Sequence, residues 1–494
     1  MTKTYLLGLL ASSAMALGGC VLEPPAANAE RDRLARAAPP YAAPFEARSL
    51  PDLPTQPDWP DVLRRALLAN GELEAAYLDW KSAMAGIQIA GQWPNADVAL
   101  GYQYLFTRES VKGWNQNTLI TAFDPSMNVQ LPTKVAQAAK VAYQEVRAKA
   151  ERFRAAKFDL QRKVLLAYHD WAMLAEKARI LRENAALLKV VADLADQRVR
   201  AGGAQRDLLK AQTEHEMALS DLADVETDLA TARAGLNALM ARRPNEPLNP
   251  PDRLPAPRKI APDDTRLLAE AMGGNAELAA LAEDVAARRQ AAELARLGYL
   301  PDFTASFSLT GDIEKNLLGM VMLPTTWHRI QGQIDQAAAA EDQAQAMLRQ
   351  TRCGRWSEFA TALYGLRNAE RQVALFRQSI LPKARQAWET TAQSYAAGLV
   401  GLTDVLDTQR TLLTVRLAIA QAQTTREKKL AELEALAGVD IEGLSRPTTA
   451  PATQPASQSA SQPAGGGGPS SQPAEATSAA SRPSGGAPTT QAAS

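Results

Sequence analysis

The chain has 494 residues, and its 54 lysines and arginines are matched by 54 aspartates and glutamates. A formal charge of zero argues against a nucleic-acid binder, which carries a basic excess on one face. Residues 58 to 445 are rich in Ala, Leu, Arg, Gln and Glu and poor in aromatics, the composition of long helices.

Met1 to Cys20 holds Lys3, an apolar run from Tyr5 to Leu17, and the ending Leu17-Gly18-Gly19-Cys20. This is a secretory signal with a small-residue cleavage site. A Cys directly after the small pair resembles a bacterial lipobox, which implies cleavage before Cys20 and acylation of its thiol. Val21 is not the Asp that commonly retains lipoproteins in the inner membrane, so the outer membrane is the expected address. With Cys20 taken by lipid, Cys353 has no partner for an intramolecular disulfide. Pro24 to Pro60 is Pro- and Ala-rich and is expected to run as an extended lead.

Four short stretches then interrupt a helical pattern, and they fall into two pairs. The first pair is Asp97 to Phe106 and Thr118 to Leu131; the second is Phe303 to Gly311 and Asn316 to Leu323. Trp93-Pro94 and Leu300-Pro301 lead in, while Leu131-Pro132-Thr133 and Leu323-Pro324-Thr325 lead out, and Pro at such points ends helices. Partial alternation, as in Val98, Leu100, Tyr102 and Tyr104, predicts strands with one apolar face. Their length is near the ~9 to 11 residues of a membrane barrel strand. Four strands with open edges are not tolerated in lipid, so a membrane reading requires several copies of the chain to close a barrel. Two hairpins packed on helices in water are the alternative, and the one that periodicity alone favours.

After each pair comes the same grammar of long helix, Gly-bearing turn and long helix. Val199 to Leu239 matches Tyr395 to Leu436: a shift of 197 places Asp207 on Asp404, Gln212 on Gln409 and Leu239 on Leu436, and a shift of 196 places Gly202 on Gly398. The one-residue difference is expected in the turn, where length changes cost least. Leu181, Ala185, Leu188, Ala192, Ala195 and Val199 alternate at three and four, as do Leu222, Val225, Leu229, Ala232, Leu236 and Leu239. That is a heptad seam between paired helices. In the second half Leu412, Val415, Ile419 and Ala422 keep the seam until Arg426 breaks it.

The chain thus divides into a signal, 1–19; a lipid-anchored lead, 20–57; a first repeat, 58–244; a Pro-rich linker, 245–262; a second repeat, 263–445; and a tail, 446–494, expected to be disordered because Pro, Ser, Thr, Ala, Gln and Gly offset too little chain entropy. No further run of about 18 apolar residues predicts a transmembrane helix. His169, His215 and His328 are scattered without metal-ligand spacing, and no phosphate loop or nucleophile elbow is present, so neither a metal, a cofactor nor an enzyme is expected.

Tyr395-Ala-Ala-Gly398 followed by Thr403-Asp404-Val405-Leu406-Asp407 matches the Y-x-x-G-x(4,5)-D-V-L-D segment of the TolC-like outer-membrane efflux proteins, and the Leu-Pro after each hairpin is similar to their metal-efflux branch. The resemblance covers residues 58 to 445. It implies a mainly α fold with a small membrane β part: a homotrimer whose 12-stranded barrel continues into an α-helical barrel across the periplasm. It implies a passive conduit in a tripartite system with a periplasmic adaptor and an inner-membrane pump. The turns at Gly202, Asp207, Gly398 and Gly401 would be the tip where the adaptor docks. Asp404 and Asp407, three apart on one helical face, would form carboxylate rings at the periplasmic aperture; capping of the helix N-terminus is the competing role for these acids. Tyr395 matches a residue whose hydroxyl helps to close family members, but the family's basic partner falls at Val400, and Arg206 is the nearby substitute. The rival reading is a lipid-anchored periplasmic adaptor or coiled-coil scaffold that does not span the membrane.

Overall fold

The computed structural model describes residues 21–93, 97–104, 117–124, 130–258, 260, 264–310 and 314–439. The signal with Cys20, residues 105–116 and 311–313 between the paired strands, and the tail from 446 lie outside the described residues.

The lead is not extended throughout. It carries helix α1, Ala27–Ala37, and two 3-10 turns at Pro39–Tyr41 and Phe45–Ala47. A segment this poor in apolar residues is ordered by what it lies on. Ala27 is buried with Trp80, Met84 and Ile87, Tyr41 stacks on Tyr77 with ring centroids 4.7 Å apart, and Arg48 pairs with Glu74. Composition alone does not disclose these anchors.

Next come α2, Trp59–Ala69, and α3, Gly71–Ala90, then strands β1, Asp97–Tyr104, and β2, Asn117–Asp124. The first long pair is α4, Pro132–Arg200, and α5, Gln205–Leu239. The second half repeats the order with α6, Asp264–Gly274, α7, Ala276–Arg296, β3, Asp302–Thr310, and β4, Glu314–Met322. It closes with α8, Trp327–Leu375, α9, Leu381–Ala396, and α10, Leu402–Ala437.

The two halves share one device. An Asn interrupts the helix that precedes each hairpin, caps the segment after it, and reaches the last turn of that half's final helix. The Asn70 carbonyl oxygen accepts from the Glu72 and Leu73 amides, and its Nδ2 donates to the Leu239 carbonyl at 3.3 Å. Asn275 accepts from the Leu278 amide at 2.8 Å, and its Nδ2 donates to the Leu436 carbonyl. The halves differ in one place on the arriving helix. Where α4 is unbroken, a π turn at Phe376–Ile380 separates α8 from α9, immediately ahead of Pro382, whose missing N–H and ring oppose a regular ladder there.

The strands form one antiparallel sheet in the order β1-β2-β3-β4. Each hairpin is fully paired, from Asp97↔Asp124 to Tyr104↔Asn117 and from Asp302↔Met322 to Thr310↔Glu314. β2 and β3 join the hairpins over Ile120↔Thr310 to Phe123↔Phe307. Among the described residues β1 and β4 are the outer strands, and no helix packs across the sheet. The expectation of two hairpins that could rest on helices is therefore replaced by a single sheet without helical cover. No helix among the described residues is long and apolar enough to cross a membrane.

Below the sheet, α4 packs against α3, α5, α7 and α10, and α8 against α7 and α10. Each half has its own core. Val164, Tyr168 and Trp171 meet Leu236 and Met240 in the first; Phe359, Leu363 and Leu366 meet Leu430 and Leu433 in the second. The heptad seams end in a third cluster at the turns, where Ala185, Leu188 and Ala195 of α4 meet Tyr395, Leu402, Val405 and Leu406.

Candidate functional site at the hairpin turns

Both long pairs reverse through the same backbone motif. After α4, the Gly203 amide donates to the Arg198 carbonyl and the Gly202 amide to the Val199 carbonyl; after α9, Leu399 donates to Ser394 and Gly398 to Tyr395. This 6→1 and 5→2 pattern requires a left-handed residue, and Gly202 and Gly398 supply it with φ of 99° and 79°. The first turn spans 201–204 and the second 397–401, so the one-residue length difference lies where the sequence shift puts it. Gly401 is different: its φ is −82°, ordinary backbone, and it serves as the N-cap of α10.

Asp404 and Asp407 are both exposed on the first turns of α10. Asp404 Oδ2 accepts from the Gly401 amide at 3.2 Å, which is the N-terminal capping role. Asp407 lies 3.7 Å from Arg410, which also pairs with Glu214 on α5. Asp207, in the corresponding place on α5, is half-buried with Arg206 3.7 Å away. Lys210 donates to the Thr403 hydroxyl at 3.3 Å, so α5 and α10 are tied beside both turns.

Tyr395 is 2% exposed. The cation beside it is Arg198, in the last turn of α4, and not Arg206, whose side chain is 89% exposed. Arg198 Cζ lies 4.5 Å from the centre of the Tyr395 ring, and its Nη1 donates to the Tyr395 carbonyl at 3.2 Å. Val400 packs against the apolar cluster of the turns. The sequence offers Arg198 and Arg200 alike as basic residues near a helix C-terminus. Only packing separates them, because Arg200 pairs with Asp196 at the surface.

From the turns upward, α10 runs antiparallel along α4 through polar pairs: Gln409 with Asn184, both buried, then Arg416 with Glu183 and Lys428 with Asp170. Above them lies a buried ionic centre whose cation comes from the linker between the halves. Arg258 contacts Glu427 at 3.2 Å and Glu434 at 2.9 Å, and stands 5.4 Å over the Trp59 ring. Burial opposes its charge, and the two carboxylates outweigh that, holding the guanidinium above its usual range. Arg426 donates to the Arg258 carbonyl at 2.7 Å and pairs with Glu370 and Glu427. The seam breaks at Arg426 because the helix there faces a charged core. His169 is buried beside this centre, and burial, with Arg258 and Lys428 nearby, lowers its pKa to about 4. No group of acidic residues, His and Cys able to hold a metal occurs among the described residues.

Residues 62–242 and 323–439 match the family described as Outer membrane efflux protein. The chain is 24% identical to the cobalt-zinc-cadmium resistance protein CzcC of Cupriavidus metallidurans over 378 residues, 74% of this chain and 88% of that protein. It is 25% identical to the pyoverdine export outer membrane protein OpmQ of Pseudomonas aeruginosa over 428 residues, 79% of this chain and 88% of that one. Its fold resembles that of the outer membrane protein VceC of Vibrio cholerae, with a TM-score of 0.65 at 20% identity, covering 77% of this chain and 96% of that structure. The chain belongs to the outer membrane efflux protein family.

Proposed function

We propose that the chain works as a homotrimer, a passive conduit whose four strands per copy close a 12-stranded barrel and whose helices form the tube below it. The observation that carries this reading is the bare sheet. β1 and β4 are the outer strands of the sheet, and no helix packs across it among the described residues, so one copy presents main-chain edges that lipid does not tolerate. Pairing β4 of one copy with β1 of the next removes every edge, and a head-to-tail contact that closes on itself gives a ring. The described strands, of eight and nine residues, are near the ~9 to 11 residues of a membrane barrel strand.

In this reading Cys20 carries the lipid that anchors the protein in the outer membrane, and the turns around Gly202, Asp207, Gly398 and Gly401 receive the adaptor. Leu399, 79% exposed at the second turn, is an apolar contact offered there. Threefold symmetry places Asp404 and Asp407 in rings that favour cations at a narrow mouth. CzcC and OpmQ have different cargoes by name, in keeping with a conduit whose selectivity lies in its pump.

The test is planar-bilayer conductance of the detergent-extracted protein beside an Asp404→Asn/Asp407→Asn variant, with oligomeric state read by SDS resistance. The expected result is a trimer with small cation-selective steps, and weaker cation selectivity in the variant. A folded monomer without conductance from either protein sinks the reading.

A further inference from the structure

In the channel just proposed, on which this inference rests, the two hairpins of each copy are joined where α4 and α9 end. We propose that Arg198 on the face of the Tyr395 ring is a latch that holds the turns closed, so that opening parts a guanidinium from an aromatic face and a helix end, and does not break a bond to the Tyr395 hydroxyl.

Three features of the site carry the assignment. Arg198 ends the arriving helix of the first hairpin and Tyr395 ends that of the second, so their contact joins the two hairpins of one chain. The guanidinium is held in two ways at once, 4.5 Å from the ring centre and with Nη1 3.2 Å from the Tyr395 carbonyl. That carbonyl, which also accepts from the Gly398 amide, belongs to the last turn of α9, where the negative end of the helix dipole favours a cation. Arg198 Nη2 also lies 3.7 Å from where a Cβ on Gly398 would stand, so the same side chain is fitted to the turn itself. By contrast, no side chain among the described residues hydrogen-bonds the Tyr395 hydroxyl. Two other links between the hairpins at the turns, Lys210 with Thr403 and Arg410 with Glu214, each have an exposed cation that water competes for, and the buried Gln409–Asn184 pair lies farther along the helices.

The latch predicts an order among variants that a hydroxyl latch does not. Open probability in planar bilayers is measured for the full-length protein and for Arg198→Ala, Arg198→Lys, Tyr395→Leu and Tyr395→Phe. Losing the cation or the aromatic face, in Arg198→Ala or Tyr395→Leu, raises the open-to-closed ratio by about five- to thirtyfold per copy. Arg198→Lys keeps charge without the planar fork and falls between. Tyr395→Phe keeps the π face and has a much smaller effect than Arg198→Ala. If Arg198→Ala does not assemble, Arg198→Gln, which keeps a polar side chain and loses the charge, takes its place.

Tyr395→Phe opening the channel as much as the Arg198 variants overturns the latch in favour of the hydroxyl. So does a folded Arg198→Ala or Arg198→Gln channel as closed as the unmodified protein. In both outcomes the unmodified protein still conducts, and the channel reading stands. A protein that never conducts in any form overturns that reading, and the latch with it.

Discussion

Replacing Arg258 with Ala removes a cation that the linker supplies to the ionic centre. Glu434 is 1% exposed and receives two hydrogen bonds from Arg258 Nη1, at 2.9 and 3.0 Å, while Glu427 keeps Arg426 when Arg258 is gone. The variant therefore takes both Arg258 hydrogen bonds from a buried carboxylate, and removing one partner of a buried pair costs about 3–5 kcal/mol. In urea, with a slope of about 3 kcal/mol per molar or steeper for a fold of this size, the unfolding midpoint drops by about 1 M. Tryptophan fluorescence is the suitable readout because Trp59 lies directly beneath the guanidinium. An Arg258→Met/Glu434→Leu variant exchanges the pair for apolar groups of similar length and recovers most of the loss. A midpoint for Arg258→Ala equal to that of the unmodified protein refutes the reasoning. A double variant no better than the single one refutes the assignment to Glu434.

Acid should weaken the same region through His169. Its folded pKa of about 4 lies below the ordinary 6.5, so the unfolded chain takes up a proton first as pH falls, and stability declines between pH 6.5 and 4 by up to about 3 kcal/mol. Chemical denaturation at a series of pH values measures this, and His169→Gln flattens that part of the profile. Asn70→Ala and Asn275→Ala each remove a cap and a bond to a final helix, at a cost of about 0.5–2 kcal/mol per site by the same assay. Because the sites lie in different halves, the two losses should add.

The repeat, the hairpins and the turn geometry are legible in the sequence because each rests on local rules. Prolines frame the strands, three-four alternation marks the seams, and a change of shift from 196 to 197 marks the longer turn. What is not legible depends on partners distant in sequence. Arg426 reads as a fault in a seam until Arg258, 168 residues away, is seen to fill the same space. α1 has too few apolar residues to announce itself, and its order comes from Tyr77, Trp80 and Phe153. At the turns the acids are legible and the cation is not: Asp404 belongs to a motif, whereas Arg198 acquires its place only when α4 and α9 end side by side.

The π turn at Phe376–Ile380 also explains how two halves of unequal length keep equivalent packing. Above it, Val164, Tyr168 and Trp171 of α4 correspond to Phe359, Leu363 and Leu366, each pair separated by 195 positions; below it, Leu188 corresponds to Ala384, and Gly202 to Gly398, at 196. One surplus residue has been taken up inside a helix without rotating the segment beyond it, since a π turn closes the ladder one residue later than an α turn does. Anywhere else on this helix, gaining or losing a residue rotates everything beyond it by about 100° and carries Tyr395 away from Arg198. The five residues from Phe376 to Ile380 are thus the slack in an otherwise rigid rod, the place along its length where the distance from membrane to turn can change by one residue while the turn still faces its partner.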